Sequence, residues 1–271
     1  MFPLNTQTFP GSAAELAERL NESLRGVFAL GRDPVEVRDK SYPHLESVIA
    51  SLDGARLPER PPPQPSVAGT GAGALTIDSF RVAASPLLVG PAAVDFQLTA
   101  SGVGLRQGTN RDGNVLLLLH DAAEGRVEIS VALADLERLI ADVAKAEAGK
   151  HGVNIDSVQL LLQSRSPRSL AAEVRLRAKK LFVSASLRIT AQLELDEELN
   201  AKLSGLECTG EGAIASVACG VLKPHLQKLE GREFSLLSLP LGEVRLREVR
   251  IAVDDKLSVT AEFGSTHGQA V

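Results

Sequence analysis

The residues that could carry chemistry are five histidines, two cysteines, and a few carboxylate and guanidinium clusters. His44, His120, His151, His225 and His267 are scattered. No pair has metal-ligand spacing, so they read as surface or loop residues and no metal site is expected. His120-Asp121, beside an expected strand end, could belong to a catalytic group. No nucleophile accompanies it, and neither G-x-S-x-G nor H-E-x-x-H occurs. Gly69, Gly71 and Gly73 resemble a phosphate loop, but such a loop joins a strand to a helix start. This run follows prolines and precedes a strand, which predicts a linker. Asp196, Glu197 and Glu198, and the pair Asp254-Asp255, could serve acid–base chemistry or calcium; their places after a strand and in a tight turn predict solvated turns. Arg165, Arg168, Arg175, Arg177, Lys179 and Lys180 predict a wet outer sheet face, with weak attraction to anionic lipid head groups as the functional reading. Cys208 and Cys219 are too few for a disulfide framework or a zinc site and read as free, partly buried thiols. These residues predict no catalytic group, no metal and no cofactor.

The composition narrows the partners. The chain has 271 residues, a formal charge of -5, no Trp and one Tyr. Base-stacking platforms need aromatics and phosphate backbones attract basic surfaces, so nucleic acid is not an expected partner. A 44% hydrophobic content supports a folded core. No apolar run reaches the roughly 18 residues of a spanning helix. The opening MFPLNTQTFPGS lacks a basic start and an apolar stretch. A cytoplasmic or membrane-peripheral location is expected, or the cell envelope for a chain whose leader has been removed.

The elements that must position these residues follow from periodicity. Ser12 and Glu15 form a capping box, and Leu16, Leu20, Leu24, Val27 and Phe28 make one stripe, predicting a helix over 12–30 ended by Gly31. Extended segments at 35–37 and 45–52 follow. The run PERPPPQPSVAGTGAGA, 58–74, reads as a loop. From Ala74 the texture is β, with Leu75, Ile77, Phe80 and Val82 in one run and Val94, Phe96 and Leu98 in another. After turns at QGTNRDGN and 121–125, the period changes at Ala132, predicting a helix over 132–149 with Leu136, Leu139, Ile140 and Val143 on one face. A third helix fits 211–230, where Ile214, Val217, Val221 and Leu222 share a stripe and Pro224 predicts a kink near Gly220. A hairpin turning at Asp254–Lys256 closes the chain, with a bulge between Arg247 and Val249 and a loose tail over 265–271.

Strict alternation from Leu181 to Leu195 is the strongest signal. Leu187, Ile189 and Leu193 fall on its apolar face, and Ser184, Ser186 and Arg188 on its wet face. Fifteen strand residues extend about 50 Å, the whole diameter of a compact globule of this length, about 50 Å. The economical reading is an elongated body of long antiparallel strands with one apolar face.

The segment AELAERLNESLRGVFALGRDPVEVRDKSYPHLESVIASLDGARL, with Tyr42-Pro43-His44-Leu45 inside it, resembles the opening of the bacterial LmeA-like phospholipid-binding family. VALADLERLI resembles the start of its central helix. VLKPHLQKLEGREFSLLSLPLGEVRLREVRIAVDDKLSVTAEF, with Leu239-Pro240, resembles its end. The likeness spans about 14–263. It implies a tubular lipid-binding (TULIP-like) α+β fold, a strongly curved antiparallel sheet wrapped around long helices, in a single lipid-binding domain over 1–271. It implies non-catalytic binding, extending to transfer, of a phospholipid, fatty acid or similar amphiphile, with transient membrane-surface contact. Candidate lining residues are Leu136, Leu139, Ile140, Val143, Leu187, Ile189, Leu193, Ile214, Val217 and Val221. The rivals are a structural or interaction module with a filled core, a lipid esterase, and two domains joined at 58–74.

Overall fold

The computed structural model describes residues 2–58, 62–63, 65–150, 152–180, 183–236 and 244–265. The side chains of Ala72, Lys180, Val183, Ala213, Ile214, Val217, Val221 and His225 are outside that description. Leu181, Leu239-Pro240, His151, His267 and the tail from 266 also lie outside the described residues.

Strand takes 60% of the chain and helix 19%. Most strand pairs are antiparallel and no closed barrel forms among the described residues, so the fold is α+β. The chain divides into two compact units. Unit 1 holds 1–129, 240–248 and 260–271, and unit 2 holds 130–239 and 249–259.

Unit 1 starts with a short strand, β1 (Phe2–Pro3), and a helix, α1 (Ala13–Val27). Ser12 Oγ accepts the Glu15 N–H at 3.2 Å, and Glu15 Oε2 accepts the Gly11 N–H at 2.8 Å. The expected capping interaction therefore forms, with its return bond one residue further back. The helix ends before the expected Gly31 because Phe28 turns extended and packs with Leu52, Ala55 and Ala84. A hairpin follows, β2 (Val35–Ser41) and β3 (His44–Ser51), then the short β4 (Arg56–Leu57). Asn21, buried on α1, clips onto β2: its Oδ1 accepts the Val35 N–H at 2.8 Å and its Nδ2 donates to the Val35 carbonyl at 3.3 Å.

The longest strands are β5 (Gly69–Val89) and β6 (Ala92–Thr109). At 21 residues, β5 has a contour of about 70 Å. It runs parallel to β3 and β4 and antiparallel to β6. The loop expected over 58–74 is irregular at its described residues 58, 62–63 and 65–68, and is corrected over 69–74, which belong to β5. Gly69, Thr70 and Gly73 pair with Thr109, Gly108 and Arg106, because a long partner strand supplies hydrogen bonds that outweigh low intrinsic propensity. The shorter β7 (Val115–Asp121) pairs with β6 and β1, and β8 (Glu124–Ala132) follows.

Unit 2 carries α2 (Leu133–Gly149) and a five-stranded sheet. Its strands are β9 (Asn154–Ser166), β10 (Ser169–Lys180), β11 (Val183–Leu195), β12 (Asn200–Glu211) and β13 (Glu233–Ser235), ordered β13-β12-β11-β10-β9. The alternation read over 181–195 appears in burial at 184–188, where Ala185 and Leu187 are buried and Ser184, Ser186 and Arg188 exposed, but residues 189–193 are all half-buried, where the pairing with β12 shifts register between Thr190 and Gln192. Helix α3 (Ala213–Leu229), with Pro224 inside it, lies against β11 and β12. Glu137 of α2 accepts the Leu160 N–H of the edge strand β9 at 2.8 Å.

The two cysteines correct the sequence reading. Cys208 of β12 and Cys219 of α3 form a disulfide with Cα atoms 5.4 Å apart. Helix packing on the sheet brings the pair together, which their separation of 11 residues could not reveal.

The closing hairpin is β14 (Val244–Val253) and β15 (Lys256–Ser265), turning where Asp254 N–H bonds the Lys256 carbonyl. Ser265, assigned to the tail by sequence, ends β15. The sheet path runs β14-β15-β8-β6-β5-β3-β2.

Candidate functional site: an apolar cavity in unit 1

The stripe on α1 faces the strands of unit 1 and does not fill the space between. A cavity of about 250 Å³ remains there. Leu16, Leu20 and Leu24 supply its helical wall. Val35, Val48 and Ala50 of β2 and β3, with Leu75, Ile77, Phe80 and Val82 of β5, supply part of the sheet wall. Leu98, Ala100, Val103 and Leu105 of β6 continue it, and Leu117 and Leu119 of β7 with Phe2, Ala122 and Phe263 complete it. Every lining side chain is apolar. Leu4, Leu16, Leu45 and Val115 of the same core are at 1% exposure or less, while Leu20, Leu24, Phe80, Val82, Leu98 and Leu119 of the lining are half-buried.

The wall depends on an irregularity shared by β5 and β6. Leu75 and Ile77 face the cavity, and then Phe80 and Val82 do, an odd step. On β6 the same step separates Ala100 from Val103. The pairing continues unshifted across it, with Ile77 opposite Val103 and Phe80 opposite Ala100. Two consecutive residues on each strand, Asp78-Ser79 and Ser101-Gly102, are exposed instead. Gly102 makes this turn of the backbone with φ +58°, a conformation that side-chain-bearing residues rarely adopt.

An apolar hollow without polar groups has no means of activating a nucleophile or holding a metal. It can take up hydrocarbon. A cavity of 150 Å³ lined by similar residues stays dry and takes benzene, or about 25 Å³ per carbon. On that scale the cavity matches about ten carbon atoms.

Of the ten sequence candidates, the seven whose side chains are described, Leu136, Leu139, Ile140, Val143, Leu187, Ile189 and Leu193, do not line this cavity. Leu136, Leu139 and Ile140 are half-buried on α2, and Val143 of the same helix is 58% exposed. Leu187 is buried with Ala185 and Ala215 beside the disulfide, and Ile189 and Leu193 are half-buried on β11. Ile214, Val217 and Val221 fall on α3, with side chains outside those described. The cavity residues of α1 and β5, and Leu98 of β6, were visible in apolar runs, but nothing local distinguished a cavity wall from packed core.

Several of the other singled-out groups have structural partners. His44 Nε2 lies 2.7 Å from Asp78 Oδ1, and Lys40 Nζ lies 3.1 Å from Asp78 Oδ2. These contacts, that of His44 foremost, hold the Asp78 carboxyl below its ordinary range. His120 Nε2 lies 2.8 Å from Arg106 Nη2. Asp196 accepts from the Asn200 side chain and backbone, which lowers its carboxyl and closes the β11–β12 turn. On the basic face, Arg175 and Arg188 both reach Glu173, at 2.5 and 3.2 Å. No group of three or more His, Cys, Asp or Glu residues suited to a metal occurs among the described residues. No helix among them is long and apolar enough to cross a membrane.

No family model, curated protein or solved structure matches the chain.

Proposed function

We propose that the protein binds the hydrocarbon part of an amphiphile, such as a fatty acid or phospholipid, without catalysis, in the cavity of unit 1. One observation carries the reading: a 250 Å³ hollow lined by apolar residues throughout, between α1 and the strands of unit 1. Burying ten methylenes gives a gross gain of about 8 kcal/mol. Association costs at least about 4 kcal/mol of that, so cargo is held reversibly, as transfer between membrane surfaces requires. The resemblance to the LmeA-like family and its TULIP-like fold supports the same ligand class. A solid-cored interaction module has no use for such a space. The Cys208–Cys219 disulfide supports an oxidising compartment such as the cell envelope over the cytoplasm.

The test is native mass spectrometry of protein purified without detergent and then offered decanoate. The wild type is expected to carry added mass. Ala50→Phe, which places a ring in the cavity from β3, is expected to carry none while keeping its circular dichroism. A wild type that takes up no hydrocarbon, or a folded Ala50→Phe that takes up as much, overturns the reading.

A further inference from the structure

The hairpin of β5 and β6 carries an apolar ladder beyond the cavity. Val82 pairs with Leu98 on the cavity wall, and Ala84 pairs with Phe96 one rung on. Phe96 and Leu87 pack on Leu52, Ala55 and Ala84, together with Leu24 and Val82 of the cavity. After an irregularity between Ala84 and Leu87, Leu87 pairs with Val94 and Val89 with Ala92. The face that walls the cavity therefore continues as apolar rungs to the turn at Gly90-Pro91.

At the turn the opposite face is apolar too, since Leu88 pairs with Ala93. From Pro86 to Val94 no side chain carries a polar atom. A strand with core on one face and water on the other alternates. β6 does so further back, where Asp95 and Gln97 flank Phe96, and Asp95 Oδ1 accepts the Ser85 hydroxyl at 2.8 Å. Gly90 and Pro91 are exposed, and Leu87, Leu88, Val89 and Val94 are half-buried.

Loss of alternation at an exposed turn fits hydrocarbon on both sides. A protein interface carries about one hydrogen bond per 100–200 Å², and these side chains offer none. Charge does not select the partner either. Asp53 accepts the Ser85 N–H at 2.7 Å and has Arg32 at 4.0 Å. Arg56 of β4 stands in register with Leu88. With Asp95, that places two carboxylates and two guanidinium groups behind the turn.

Resting on the cavity reading for the cargo, we infer that this turn docks the protein on a lipid bilayer, with Leu87–Val94 entering the head-group region. Apolar burial holds it there, so zwitterionic lipid suffices and added salt leaves docking unchanged.

The chain has no Trp, so Pro91→Trp places a sole reporter at the exposed turn, with Glu36→Trp on β2 as control. On adding phosphatidylcholine vesicles, Pro91→Trp fluorescence is expected to shift to the blue and to be quenched by brominated acyl chains, and Glu36→Trp to do neither. In vesicle flotation Leu88→Asp is expected to bind at least about tenfold more weakly than the wild type, the contribution of one buried leucine, while taking up decanoate unchanged. Pro91→Asp, at an exposed position, is expected to weaken flotation as well and keeps the test decisive if Leu88→Asp does not fold. No flotation, equal flotation of wild type and variants, binding only to vesicles with phosphatidylserine at low salt, or a dimer without lipid that Leu88→Asp abolishes, overturns the docking surface. Flotation without decanoate uptake overturns the cavity reading and leaves the docking surface standing.

Discussion

Shortening Leu16 separates a cavity wall from ordinary core. Leu16 is 1% exposed, sits on the apolar stripe of α1 and lines the cavity. Leu16→Ala removes three carbons. The loss of burial, with incomplete relaxation around the site, costs about 3 kcal/mol, a shift of roughly 100-fold in the folding equilibrium. The same three carbons enlarge the cavity by about 75 Å³, so the best-bound alkanoate lengthens from about ten carbons to about twelve or thirteen. Leu4 is the control: it is fully buried in the same core but does not line the cavity. Leu4→Ala should cost a similar amount and leave the preferred chain length alone. Urea unfolding gives the first quantity, and titration with alkanoates of eight to sixteen carbons gives the second. If both variants lengthen the preferred chain equally, or neither does, the assignment of Leu16 to a ligand-bearing wall is refuted.

Three further expectations follow from the geometry. Protein prepared without reductant should show no alkylatable thiol and, after denaturing reduction, two; replacing both Cys208 and Cys219 by Ser should lower the stability of unit 2 by about 3 kcal/mol, the loop-closure value for a crosslink of this span, and an unchanged unfolding midpoint would contradict it. Asn21→Leu strands the buried Val35 N–H and should cost about 1–3 kcal/mol in urea unfolding, whereas an exposed change such as Glu18→Gln should cost nothing measurable. The Asp53 carboxyl is held below its ordinary range, first by the Ser85 N–H at 2.7 Å and then by the Ser51 hydroxyl at 3.0 Å. Its contribution is therefore present above the ordinary carboxylate range and lost as pH falls through the lowered folded value, so Asp53→Asn should flatten the acid limb of the stability–pH curve, and an unaltered limb would count against this.

Local signals carried the helices well. The Ser12 cap, the change of period at Ala132 and the stripe after Gly212 placed α1, α2 and α3 within a few residues, because caps and period are set by near neighbours. The alternation before Leu195 gave β11 for the same reason. The glycine-rich start of β5 was illegible because its hydrogen-bond partner, the far end of β6, lies more than 30 residues away. The disulfide was hidden because it depends on where α3 lies on the sheet. The cavity was hidden twice over: its wall gathers short stretches of many elements, and the odd step from Ile77 to Phe80 interrupts the period-two pattern that would have marked β5 as one wall.

That odd step gives Gly102 an importance out of proportion to its size. A substituent there would be strained at φ +58° and would also meet the Ala123 Cβ at 3.0 Å. Straightening β6 at this rung would send Leu98 and Ala100 to the outer surface, trading hollow for greasy exterior in one move. Descendants of this chain that drift at Gly102 must therefore rebuild the hairpin or forfeit the chamber.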